Sequence, residues 1–225
     1  MTEQERVIEL IARLRQLYPD ARCSLNFTTP LELLVATVLS AQCTDERVNQ
    51  VTATLFKKYR TAQDYADASI EELEQDLRQI NFYRNKARHI REACAILVQH
   101  YEGQVPQTMQ ELIALPGVAR KTANVVLGNA FGHIEGIVVD THVGRISRRL
   151  GLASSEEPIK VEEELMRKVP RQHWLDLTHL LIYHGRAVCQ ARKPLCNQCT
   201  LIDLCPTGSG FVISTAAAAA TSVSD

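Results

Sequence analysis

Residues 115–123 read L-P-G-V-A-R-K-T-A, and a V-D-T-H segment supplies Asp140 nineteen positions after Lys121. A Pro-Gly turn lets the backbone reverse sharply, because Gly117 adopts positive φ without the steric cost other residues carry. The turn and the helix it opens then offer bare amides. Such amides seat a phosphate, which gives affinity for DNA without any base preference. Pro116, Gly117, Val118, Ala119 and Arg120 are therefore candidate DNA contacts, while Lys121 and Asp140 supply an amine and a carboxylate.

A second constellation is C-x6-C-x2-C-x5-C, formed by Cys189, Cys196, Cys199 and Cys205. Four thiols in so short a stretch read as a metal centre, and soft sulfur ligands suit zinc or an iron-sulfur cluster. A zinc ribbon would show two C-x2-C pairs, whereas only Cys196 and Cys199 form one here, so a four-iron cluster is favoured. Arg186, Arg192 and Lys193 flank these ligands and are candidate phosphate contacts; each also reads as ordinary solvated charge.

The elements that position these groups read as helices throughout. Val7, Ile11, Leu14 and Tyr18 recur at helical spacing, and the nearly all-apolar run Leu31 to Leu39 predicts a helix buried on every side. Ser69 with Glu72, and Thr108 with Glu111, match the capping-box spacing. Gly103, Gly132 and Gly151 mark helix ends. The stretch from Gly132 to Val139 is non-helical and separates two groups of helices, which predicts an all-α fold of two domains.

Length and composition set the limits. The 225 residues, 45% of them hydrophobic, suffice for a packed core, and no apolar run approaches the roughly 18 residues needed to cross a membrane. With no secretory or transit pattern at the N-terminus, a cytoplasmic location is expected. A net charge of -1 means that contact with nucleic acid rests on a local basic patch. Seven cysteines, an odd number, argue against a disulfide framework; Cys23, Cys43 and Cys94 read as small apolar fillers.

Taken together, L-P-G-V-A-R-K-T-A, V-D-T-H-V at 139–143, H-G-R at 184–186 and the cysteine spacing resemble endonuclease III over roughly residues 1–207. The resemblance implies a six-helix domain over 22–132, with its helix-hairpin-helix at about 107–131. It also implies a [4Fe-4S] cluster domain made of 1–21 and 133–207, with a disordered tail at 208–225. The implied partner is damaged double-stranded DNA, bound by a monomer associated with the bacterial nucleoid, without a nucleotide cofactor. The implied activity removes oxidised pyrimidines such as thymine glycol and cuts the abasic strand.

On that resemblance Lys121 corresponds to the nucleophile and Asp140 to the essential carboxylate. A neutral amine attacks the sugar C1′, displaces the base and forms an imine through which β-elimination cuts the strand. A free lysine with pKa near ~10.4 is mostly protonated at neutral pH, so the site must desolvate it or take its proton. Taken singly, Lys121 also suits a phosphate contact and Asp140 a helix cap; together, beside the hairpin and cysteines, they favour catalysis.

Gln42 and Phe82 correspond to the side chains that fill the gap left by an extruded nucleotide, one by hydrogen bonding and one by wedging. From sequence alone Gln42 equally suits a helix end and Phe82 the core. Two departures from the family pattern are Ala119, where a second glycine is usual and negative φ is therefore expected, and Asn81, where a glycine usually precedes the wedge. His142 and His184 are expected to be hydrogen-bonded structural residues. A monofunctional glycosylase of the same fold would lack Lys121, and a non-catalytic iron-sulfur DNA-binding module leaves Asp140 unexplained.

Overall fold

A computed structural model describes residues 1–208 and Gly210. Among these residues every regular element is helical: α1 (Glu3–Leu17), α2 (Pro30–Ser40), α3 (Asp45–Lys58), α4 (Ala62–Asp67), α5 (Ile70–Leu77), α6 (Tyr83–Tyr101), α7 (Met109–Ile113), α8 (Arg120–Phe131), α9 (Thr141–Arg149), α10 (Pro158–Lys168) and α11 (Trp174–Ala187), with three short 3-10 turns. Among the described residues the chain forms two compact units, one from Cys23–Glu135 and the other from Met1–Arg22 together with the residues from Gly136 onward.

The first unit is built around α2. Thr29 caps it and Pro30 starts it, and Leu31 together with Leu33 through Leu39 is buried all round, as the apolar run predicts. Leu73, Leu77, Ile90, Leu97, Leu112, Val126 and Leu127 close the core about it. Ser69 and Thr108 each accept a bond from the amide three residues on. The reciprocal half of a capping box is instead found at Thr2 with Glu5 and at Thr61 with Asp64. Gly132 ends α8 in the left-handed region, and residues 132–140 are non-helical.

In the second unit α1 lays Val7, Leu10, Ile11 and Leu14 into a core shared with Ile146, Leu165, Leu177, Leu180 and Leu181. Arg6 ties α1 to the cysteine-bearing segment by donating to the carbonyls of Leu150 (2.8 Å) and Leu204 (3.0 Å). Gly208, expected to begin the tail, is buried, and a β-carbon there would meet Ile202 and Cys205. Packing near Cys205 therefore extends one residue past the expected boundary. Residues 209 and 211–225, which hold the rest of that tail, lie outside the described residues.

Candidate functional site

The hairpin consists of α7, the turn through residues 114–119, and α8. Leu115 and Val118 are buried and anchor the turn on both sides, and the Val118 amide donates to the Leu115 carbonyl at 3.1 Å. The Val118 side chain thus serves the core, which leaves only its backbone for a ligand. Pro116 is half-buried, and Gly117 has φ +77°, the left-handed geometry the turn requires. Ala119 has φ -90°, as expected for a residue with a β-carbon, and as N-cap of α8 it brings no side-chain cap to the first-turn amides. Arg120 and Lys121 follow at once and are exposed.

In the other unit, Asp140 is the N-cap of α9: its Oδ1 accepts from the Val143 amide at 2.8 Å. Oδ2 takes no hydrogen bond among the described residues. Capping therefore occupies half of a carboxylate whose other oxygen remains available for charge stabilisation. His142 lies beside Arg145 (3.2 Å).

Gln42 and Phe82 both have left-handed backbones, with φ 55° and 58°. Phe82 is 63% exposed, so it is no core residue. Asn81 is not left-handed; the strained residue is the next one, and the Asn81 side chain instead donates to the Gln42 carbonyl at 2.7 Å. Behind both loops, the buried Lys86 donates from Nζ to the carbonyls of Leu39 (2.8 Å) and Ala41 (2.6 Å). Nothing in the sequence reading pointed to Lys86.

Cys189, Cys196, Cys199 and Cys205 are free thiols that line one cavity, whose walls include Ile146, Leu150, Val188, Pro194 and Ile202. Arg149 approaches Cys189 Sγ at 3.3 Å, and His184 Nε2 lies 3.7 Å from Cys199 Sγ. Burial holds His184 neutral, with its pKa lowered to about 4, and its Nδ1 meets the Tyr18 hydroxyl at 3.1 Å. Burial first, and then the neighbouring cysteines, push the Cys196 and Cys199 thiols up. A donor set whose members oppose one another's ionisation in this way fits a positive centre placed among them. Among the described residues no three His, Cys, Asp or Glu side chains are gathered to hold a single ion.

The loop carrying Cys189 is held by arginines that sequence reasoning passed over. Arg145 donates to the Cys189 carbonyl (3.0 Å), and Arg149 donates to the carbonyls of Gln190 (2.7 Å) and Ala191 (2.8 Å). Their i, i+4 spacing on α9 was the available signal. Arg186, Arg192 and Lys193 are exposed.

An all-helical chain with a left-handed Pro-Gly hairpin and an uncapped helix after it defines a class. Residues 35–171 match the family described as HhH-GPD superfamily base excision DNA repair protein. Within that class the chain is 52% identical to endonuclease III of Synechocystis over 206 residues, 92% of this chain and 94% of the relative. It is 47% identical to that of Bacillus subtilis (87% and 90% covered) and 43% identical to that of Escherichia coli K12 (88% and 93%). An endonuclease III trapped as a covalent intermediate with DNA superposes with a TM-score of 0.87 at 47% identity, covering 94% of this chain and 99% of that one. The protein belongs to the endonuclease III family of base excision DNA repair proteins. A thermostable thymine-DNA glycosylase at 22% identity and a TM-score of 0.80 shares the fold.

Proposed function

We propose that this protein binds damaged duplex DNA as a monomer in the cytoplasm, excises oxidised pyrimidines such as thymine glycol, and cuts the abasic strand. The observation that carries the reading is the exposed Lys121 in the first turn of α8, directly behind a Pro116-Gly117 turn whose helix start lacks a side-chain cap. Backbone amides there receive phosphate, with Arg120 beside them, while Arg186, Arg192 and Lys193 add positive charge from the other unit. We assign residues 22–132 to the six-helix domain, and 1–21 with 133–207 to the cluster domain; the two compact units support this division.

In the proposed reaction the Lys121 amine forms a bond to C1′ while the bond from C1′ to the base breaks, and the departing base takes the electron pair. Loss of protons from nitrogen and opening of the sugar give an imine. Removal of a C2′ proton then expels the 3′ phosphate by β-elimination. The free Oδ2 of Asp140 is suited to offset positive charge on the sugar as the base leaves. Gln42 and Phe82, both exposed, fill the stack once the nucleotide is extruded.

Cys189, Cys196, Cys199 and Cys205 would hold a [4Fe-4S] cluster, supported by their convergence on one cavity and by the raised thiols of Cys196 and Cys199. When bound, the cluster supplies a rigid anchor for residues 189–205, and Arg192 and Lys193 are carried on that loop. Borohydride treatment of protein mixed with thymine glycol duplex should give a stable crosslink that Lys121→Ala abolishes. Base release that survives Lys121→Ala would instead favour the monofunctional mechanism, and inert wild-type protein a binding module.

A further inference from the structure

The two loops read above as DNA-filling prongs are forty residues apart in the chain, yet they are bound to one another. Left-handed backbone at a non-glycine residue is sterically costly and persists only where the surroundings enforce it. Here Gln42 and Phe82 both adopt it, so something must hold them.

What holds them can be followed bond by bond. α2 ends at Ser40, where the last carbonyls have no partners within the helix. Lys86, only 6% exposed, reaches from the first turn of α6 and takes two of the carbonyls in this stretch, those of Leu39 and Ala41. A cation is favoured at a helix C-terminus, which offsets part of the cost of burying the ammonium. Asn81 takes the next carbonyl along, that of Gln42, at 2.7 Å. On the other prong, the Phe82 carbonyl accepts from the amides of Asn85 (3.1 Å) and Lys86 (3.2 Å). Arg47 of α3 adds a tie to Gln79 at 3.0 Å. Lys86 therefore sets the depth of the Gln42 loop, and Asn81, adjacent to Phe82, sets its orientation.

We infer that Asn81 is a positioning residue that locks Gln42 and Phe82 into one two-pronged element, so that the amide and the ring enter the base stack together. The inference rests on the proposed roles of Gln42 and Phe82 in filling the stack. Glycine at position 81 has no side-chain donor for the Gln42 carbonyl, so the coupling belongs to the asparagine this chain carries. Asn81 is itself exposed, and losing one exposed hydrogen bond has little effect on folding. Its consequence is geometric, since displacing a positioned group by about 1 Å can cost a hundredfold in rate.

The test is a double-mutant cycle on single-turnover rates, using a thymine glycol duplex and, for comparison, a single-stranded abasic oligonucleotide that needs no unstacking. Asn81→Ala should lower the ratio of duplex to single-strand rate about tenfold, with an unchanged urea midpoint. Gln42→Ala should lower the same ratio, and the double variant should match Gln42→Ala alone, because Asn81 holds the Gln42 backbone so as to place the amide that Gln42→Ala removes. Fold-losses that multiply in the double variant overturn the inference. So does an Asn81→Ala loss that is equal on both substrates or tracks a drop in stability. An intact duplex rate in Gln42→Ala sinks the assigned role of Gln42 and the inference with it, a result distinguishable from multiplying losses.

Discussion

Gly117 in the hairpin and His89 on α6 lie so close that a β-carbon on the glycine would sit 2.9 Å from the His89 Cβ. Position 117 is thus closed to larger residues for two independent reasons, its φ of +77° and its neighbour. Gly117→Ala should cost about 1–2 kcal/mol from backbone strain alone, read as a fall of roughly 2–8 °C in Tm. It should also weaken DNA binding about tenfold, as the turn amides shift away from the His89 ring. Unchanged affinity for an abasic duplex would show that the turn does not meet the phosphates.

Asp140 caps α9 and has a proposed second duty in charge stabilisation, and substitution can separate the two. Asparagine caps a helix as well as aspartate does, so Asp140→Asn should keep stability within about 0.5 kcal/mol, and Asp140→Ala should lose about 1 kcal/mol. Both should lower excision on the order of a hundredfold or more, because both remove the charge. Urea denaturation beside single-turnover kinetics reads the two effects apart. Near-normal excision by Asp140→Asn would leave the residue a cap and nothing more.

How far the fold and site were readable can be judged residue by residue. The buried run of α2, the helix ends at Gly132 and Gly151 and the negative φ of Ala119 follow from local rules: apolar periodicity, left-handed tolerance and β-carbon sterics. Lys86 and the Asn81 clamp were invisible because each depends on a carbonyl brought near by folding, and the i, i+4 spacing of Arg145 and Arg149 marks a shared helix face without showing which carbonyls it meets. A lysine in the first turn of a helix carries no sign that it caps another helix. Glu102 likewise takes the left-handed cap one residue before the glycine that marks the end of α6.

Gly185 in the H-G-R segment shows the same limit. A β-carbon there would lie 2.7 Å from both His142 Nδ1 and Ile146 Cδ1, and 3.0 Å from an Arg145 guanidinium nitrogen, so α9 and α11 pack through the glycine. Ile146 is fully buried and Arg145 is engaged with the Cys189 carbonyl, so neither yields easily. Gly185→Ala should destabilise the protein by about 1–3 kcal/mol through overpacking. Release of iron to a chelator from the proposed cluster should quicken as Arg145 is pushed off the Cys189 loop. A variant with wild-type Tm and wild-type iron retention would show that the helices separate without strain.

Alkaline titration offers a test of the other core. Burial pushes the Cys94 thiol from 9.0 up to about 12, so the folded chain keeps a proton that the unfolded chain releases above pH 9. The stabilisation from this group is complete below pH 9 and is lost as pH rises toward 12. At about 1.36 kcal/mol per pH unit, roughly 2 kcal/mol should drain away between pH 9 and 10.5. Tyr59, raised to about 12 by burial and by its bond to Asp76, titrates alike in wild type and in Cys94→Ala, and Tyr65, raised first by burial and next by Cys94, keeps its proton up to pH 10.5 in both because burial is the larger cause, so their share cancels in the comparison. The wild-type stability curve should therefore fall more steeply than that of Cys94→Ala over this range, from an offset set by the small volume lost. Parallel curves between pH 8 and 10.5 would mean that the unfolded chain gains nothing by ionising this thiol, and that water reaches it in the folded state.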